Sequence, residues 1–181
     1  DAASLDVRGA VQALKSRGAA KVGVTGYCMG GALTIAACAR VGGISCGVPF
    51  YGIPPGQLAD PSKIKVPLQG HFANKDDWCT PAAVDGLEKT MKGAGHSPEI
   101  FRYDAAHAFA NERSAAYDVA CAGQASDNDT PTAPLERMRS AFLNALHKTV
   151  HDTQTRRGFD IATHKVEYVE ERLDVRDRHL K

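Results

Sequence analysis

The stretch Val22-Gly-Val-Thr-Gly-Tyr-Cys-Met-Gly-Gly-Ala32 decides the fold. Its first residues form a short apolar, β-branched run, and its last residues open an alanine- and leucine-rich segment, Met29 to Arg40, that contains no proline. A buried strand followed at once by a helix is the reading. Between them stands Gly-x-Cys-x-Gly-Gly, a nucleophile elbow with cysteine at its apex. Gly26 and Gly30 flank Cys28 where strand, turn and helix crowd together, so side chains there are expected to collide, and Gly31 gives further room. The turn lifts the Cys28 sulfur to a helix N-terminus, where the helix dipole favours a thiolate. The backbone N–H of Met29 is then aimed at an oxyanion forming on the attacked carbonyl. The phosphate-cradling alternatives require G-x-G-x-x-G or G-x-x-x-x-G-K-[ST], and neither pattern is present here.

Outward from the elbow, apolar positions at helical spacing between Ser4 and Arg17 predict an amphipathic helix, with Ser4 as N-cap and Gly18 as its stop. Lys21 to Thr25, Ser45 to Tyr51, Lys65 to Phe72 and Pro98 to Tyr103 read as strands. Pro81 opens a helix that Gly93 or Gly95 closes. A short helix is expected from about Glu112 and a stronger one from Pro134 to Val150. Strands alternating with helices predict an α/β fold, a mostly parallel sheet flanked by helices. Residues 1–150 are taken as one domain, and 151–181 as a charged tail with a short helix around Val166 to Arg176.

The 181 residues suffice for one domain with a hydrophobic core. A content of 43% apolar and 24% charged residues is that of a globular chain. A net charge of +1 without basic clusters argues against a nucleic-acid partner, and no apolar run reaches membrane-spanning length. Five cysteines, an odd number without zinc spacing, point to free thiols, no metal, and a cytoplasmic or other reducing compartment.

A cysteine nucleophile needs a base and an acid, in the chain order nucleophile, acid, histidine. His107, in the small-residue block Asp104-Ala-Ala-His-Ala-Phe-Ala110 after the last of these strands, is the natural base. The other histidines are read as surface residues or satisfied core residues. The acid must come from Asn74-Lys-Asp-Asp-Trp-Cys-Thr-Pro81, in which Asp76 and Asp77 are both candidates.

The elbow, the segment Asp77-Trp-Cys-Thr-Pro81 and the block Tyr103 to Ala110 together resemble the signature regions of the dienelactone hydrolase (carboxymethylenebutenolidase) family. The resemblance covers about Leu5 to Leu146 and implies an α/β-hydrolase fold. It implies a cofactor-free cysteine hydrolase that cleaves an ester, thioester or lactone through an acyl-thioester. In that family the acid lies four residues before a proline, which selects Asp77. Tyr51 matches a tyrosine bordering the family's pocket. Asn111 stands where dienelactone-cleaving members resemble one another in carrying a carboxylate-binding arginine, so neutral esters are the expected substrates.

Measured against the family, the chain starts at the helix before the elbow strand. The N-terminal strands, with a second oxyanion donor, are then expected to be missing, and a protein partner is expected to cover the incomplete sheet edge. Two other readings stay open on the residues: a non-catalytic relative serving assembly or binding, and a redox-sensing thiol.

Overall fold

The computed structural model describes residues 2–127. They form, in order, α1 (Ala2–Ser16), β1 (Gly23–Tyr27), α2 (Met29–Arg40), β2 (Cys46–Phe50), a 3-10 turn (Pro61–Lys63), β3 (Gln69–Lys75), α3 (Pro81–Gly93), β4 (Glu99–Ala106) and α4 (Val119–Asp127). The Pro134–Val150 helix, the tail and its Val166–Arg176 helix lie outside the described residues, as does the end of the expected 1–150 domain.

The strands pair in the order β1-β2-β3-β4, every pair parallel. Each strand therefore lies beside its neighbour in sequence, and all four carboxyl ends emerge on one side of the molecule. Cys28, Tyr51, Asp76 and His107 follow those four ends, where ligands bind in open α/β sheets.

Alternation along the strands divides the core in two. Val24, Leu68 and Phe72 point to one face and pack with Val11, Leu14, Ile35, Val84, Leu87 and Met91 from the helices. Val48, Phe50, Ala73, Tyr103 and Ala105 point to the other face, where they meet Phe109 and Ala125. On this second face His71 is fully buried, stacks on Phe50 with ring centroids 4.4 Å apart, and shares a 2.7 Å hydrogen bond with the Tyr103 hydroxyl. It is a core histidine, held through Nδ1 and by ring stacking rather than exposed at the surface.

Several boundaries differ from the sequence reading. Ser4 lies inside α1 rather than capping it, because the helix already begins at Ala2. β3 starts at Gln69 instead of Lys65, since Pro67 has no N–H to give a ladder. It then runs on through the polar Asn74 and Lys75, because Lys75 still pairs with Ala106 of β4. That same pairing carries β4 past Tyr103. Turns occupy the segment around Glu112, and the helix begins at Val119, where Asp118 accepts the Cys121 N–H at 2.9 Å. α2 and α3 match their expected bounds and β2 lies within one residue of its own at each end, and α3 has both its signals: Pro81 in the first turn and the Thr80 hydroxyl capping Ala83 N–H.

Steric demand at the elbow falls on Gly26, Gly31 and Gly52. A Cβ on Gly26 would fall on the Gly30 carbonyl, one on Gly31 on the Phe50 carbonyl, and one on Gly52 on the Cys28 carbonyl, all rigid backbone. Around Gly30 there is open space, which corrects the expectation of a collision there. The crowding is felt at residue minus two, where the helix backbone passes over the strand. We expect Gly52→Ala and Gly26→Ala to cost at least about 1–3 kcal/mol in urea unfolding, the range for overpacking a site that cannot relax. Gly30→Ala should unfold within about 1 kcal/mol of the native chain. A Gly52→Ala midpoint equal to that of Gly30→Ala would show that the elbow is looser than its contacts imply.

Candidate active site

Cys28 caps α2 with φ 56° and ψ −120°, a backbone conformation that side chains rarely adopt. Two hydrogen bonds hold it there. Its N–H donates to Phe50 O at 3.1 Å, and its carbonyl accepts Ala32 N–H at 3.2 Å in the first turn of α2. The side chain is half-buried at the N-terminus of α2, packed against the core cluster that contains Phe50 and Tyr51. The Met29 N–H is among the first amides of that helix, which have no carbonyl a turn earlier to bond, while the Met29 side chain itself stands exposed.

His107 arrives from the end of β4. Its Nε2 lies 3.2 Å from Cys28 Sγ, and its Nδ1 lies 2.7 Å from Asp76 Oδ2. The structure thus brings Cys28 and His107 together as the sequence predicted, but it places Asp76, and not Asp77, on the imidazole. The Asp76 side chain is wholly buried. Its Oδ1 accepts the N–H groups of Trp78 (2.9 Å) and Cys79 (2.7 Å), so the loop folds back around this carboxylate and leaves Oδ2 for the histidine. Asp77, at the outside of the same turn, is exposed. Counting back from Pro81 selected the aspartate one residue beyond the one that meets the imidazole, because the spacing says nothing of which aspartate the Asx turn draws inward.

Two aromatic rings flank the imidazole. Tyr51 meets it edge-on at 5.3 Å and 69°, Trp78 at 5.4 Å and 72°. Sequence reasoning placed Tyr51 at the pocket but missed Trp78, whose only signal was its position next to the candidate acids. Asn111 sits in the loop after His107 with its side-chain oxygen accepting Arg113 N–H at 3.1 Å, an Asx turn within its own loop. Its role as a pocket residue is not among the contacts of the Cys28–His107–Asp76 chain.

Positive φ at non-glycine residues occurs at Cys28, Tyr51 (33°) and Ala108 (66°) among the described residues. All three belong to the site or adjoin His107. Each such conformation costs on the order of 1–3 kcal/mol and persists only where the surroundings over-determine it.

Three of the other cysteines are held protonated by their surroundings. Burial pushes the Cys38 and Cys79 thiols up to about 12, with Cys46 adding to the shift at Cys38 and Asp76 to that at Cys79. Burial and then Asp118 raise that of Cys121. A raised value keeps the thiol protonated at every pH well below it, so near neutrality these three are weak nucleophiles. Substoichiometric iodoacetamide at pH 7.5 should therefore label Cys28 ahead of Cys38, Cys79 and Cys121 on peptide mapping. Earlier labelling at Cys79, which lies in the acid loop, would contradict the pairing of Cys28 with His107.

Strand ends that converge on a thiol, an imidazole and a buried carboxylate are what α/β-hydrolase folds present, and known proteins bear out that kinship. Residues 1–132 match the model of the dienelactone hydrolase family, and the chain belongs to that family. Protein usf of Aquifex pyrophilus is 36% identical over 95 residues, which are 51% of this chain and 41% of that protein. Carboxymethylenebutenolidase of Pseudomonas putida is 32% identical over 109 residues, 59% of this chain and 45% of that one. The matched region thus spans less than half the length of these relatives. Among solved structures, a protein of Klebsiella pneumoniae assigned as a dienelactone hydrolase superposes with a TM-score of 0.59 at 24% identity, covering 66% of this chain and 54% of the other. That likeness establishes the α/β-hydrolase fold. Among the described residues, no helix is long and apolar enough to cross a membrane and no cluster of ligating side chains could hold a metal ion.

Proposed function

We propose that the chain is a carboxylic ester or lactone hydrolase in which Cys28 is the nucleophile, His107 the general base and acid, and Asp76 the residue that orients and charge-balances His107. The observation that carries this reading is the continuous hydrogen-bonded line from Cys28 Sγ through His107 to the buried Asp76 carboxylate. A merely structural cysteine needs no such partner.

In the reaction His107 Nε2 takes the Cys28 proton as sulfur attacks the substrate carbonyl carbon. The electron pair displaced onto the carbonyl oxygen is met by the Met29 N–H. Collapse of that intermediate breaks the carbon–oxygen bond. His107 hands its proton to the departing alkoxide, leaving an acyl-thioester on Cys28. Water then attacks the thioester with His107 again taking the proton, the acid departs, and the proton returns to sulfur. Throughout, Asp76 holds Nδ1–H, fixing the tautomer in which Nε2 can accept, and it balances the imidazolium formed at each step.

Trapping the intermediate tests this. After mixing with a short-chain ester and quenching in acid within a turnover, the Cys28 peptide should carry the acyl mass, removable by hydroxylamine. Hydrolysis proceeding with the acyl group never found on Cys28 would refute the assignment.

A further inference from the structure

We infer that Trp78 selects the alcohol side of the substrate, so that the site takes neutral esters or lactones whose alkoxide part is apolar or aromatic. This rests on the hydrolysis proposed above.

The departing alkoxide must lie against His107, because Nε2 returns the proton to it. Trp78 packs on that imidazole, with ring centroids 5.4 Å apart. Steadying His107 would not require an open ring, and Tyr51, which does the same from the other contact, is only 1% exposed. Trp78 is 53% exposed. An indole that touches the proton donor and still offers half its surface is a platform for whatever carries the leaving oxygen. Met29, the residue after the nucleophile, is likewise apolar and 69% exposed. The neighbouring charge favours neutral groups: Asp77 is exposed beside Trp78 and repels anions, while Asp76 is buried and engaged with His107.

Trp78 is the chain's single tryptophan, so its emission reports occupancy of the platform independently of turnover. The test uses ethyl, butyl and benzyl acetate, which share an acyl group. kcat/KM should rise along that series. Trp78→Ala should lower the value for benzyl acetate roughly tenfold more than that for ethyl acetate, the scale on which apolar pockets discriminate small groups. Trp78→Phe should keep most of the preference. In Cys28→Ala, benzyl acetate should shift the Trp78 emission to the blue and saturate, whereas ethyl acetate at equal concentration should not. Equal losses on all three esters in Trp78→Ala would make Trp78 a positioning residue for His107 and overturn the inference. Equal kcat/KM across the series with unmoved emission would overturn it too, leaving hydrolysis intact. If no ester turned over yet benzyl acetate still shifted the emission, hydrolysis would be overturned and the apolar platform kept.

Discussion

Cys28→Ala is expected to lower ester turnover by about 10⁶-fold, and the double variant Cys28→Ala/His107→Ala by no more. The two side chains act as one unit: without sulfur to deprotonate, His107 has nothing to activate, and without His107 no base takes the proton during attack or returns it to the leaving group. In such units, removal of the nucleophile or base alone costs about as much as removal of the whole set. Their 3.2 Å contact is the physical basis of this coupling. Rates for the two single variants and the double variant, with circular dichroism to verify folding, decide the matter. Losses that multiply in the double variant would mean that Cys28 and His107 contribute separately, and the triad reading would not stand.

Asp76→Asn is expected to cost about 10⁴-fold in kcat, the scale seen when a triad aspartate is replaced by its amide. The asparagine oxygen can still accept the N–H groups of Trp78 and Cys79, so the loop need not open. Its NH2, however, would then face His107 Nδ1 and force the proton onto Nε2. That nitrogen would donate toward Cys28 sulfur instead of accepting from it, and the buried negative charge that stabilises imidazolium would be gone. Asp77→Asn, on the exposed side of the turn and outside the hydrogen-bonded line from Cys28 to Asp76, should stay within about threefold of the native rate on a neutral ester, which its charge does not repel. A larger loss at Asp77 than at Asp76 would show that the acid acts from a different arrangement of this loop.

The contrast between the two aspartates marks where sequence reasoning stops. The elbow was legible because its chemistry is local: Cys28 must sit between a strand and a helix, and glycines must admit the crossing backbones. The α2 helix was found at its observed bounds for the same reason. His107 was legible from its order in the chain and its small neighbours. What failed depended on contacts between distant segments. The extent of β3 and β4 was set by their mutual pairing, which outweighs the weak strand preference of Asn74, Lys75 and Asp104. Gly52 gave no local sign that the Cys28 carbonyl would press against it. Which of two adjacent carboxylates turned inward was decided by amides on the following residues. Trp78 was passed over because its partner lies in another strand-end loop.

The sequential strand order bears on how this protein comes to be folded. Each strand docks on the one made just before it, so β1, α2 and β2 can form early contacts at modest loop-closure cost. Cys28 and His107, however, are 79 positions apart, just after β1 and just after β4. Cys28 therefore reaches its strained turn well before His107 can reach Cys28. A nascent or refolding chain would pass through a state with a formed elbow and an unpaired thiol, and full reactivity of Cys28 would emerge only with the docking of β4, making its alkylation rate a clock for that docking step.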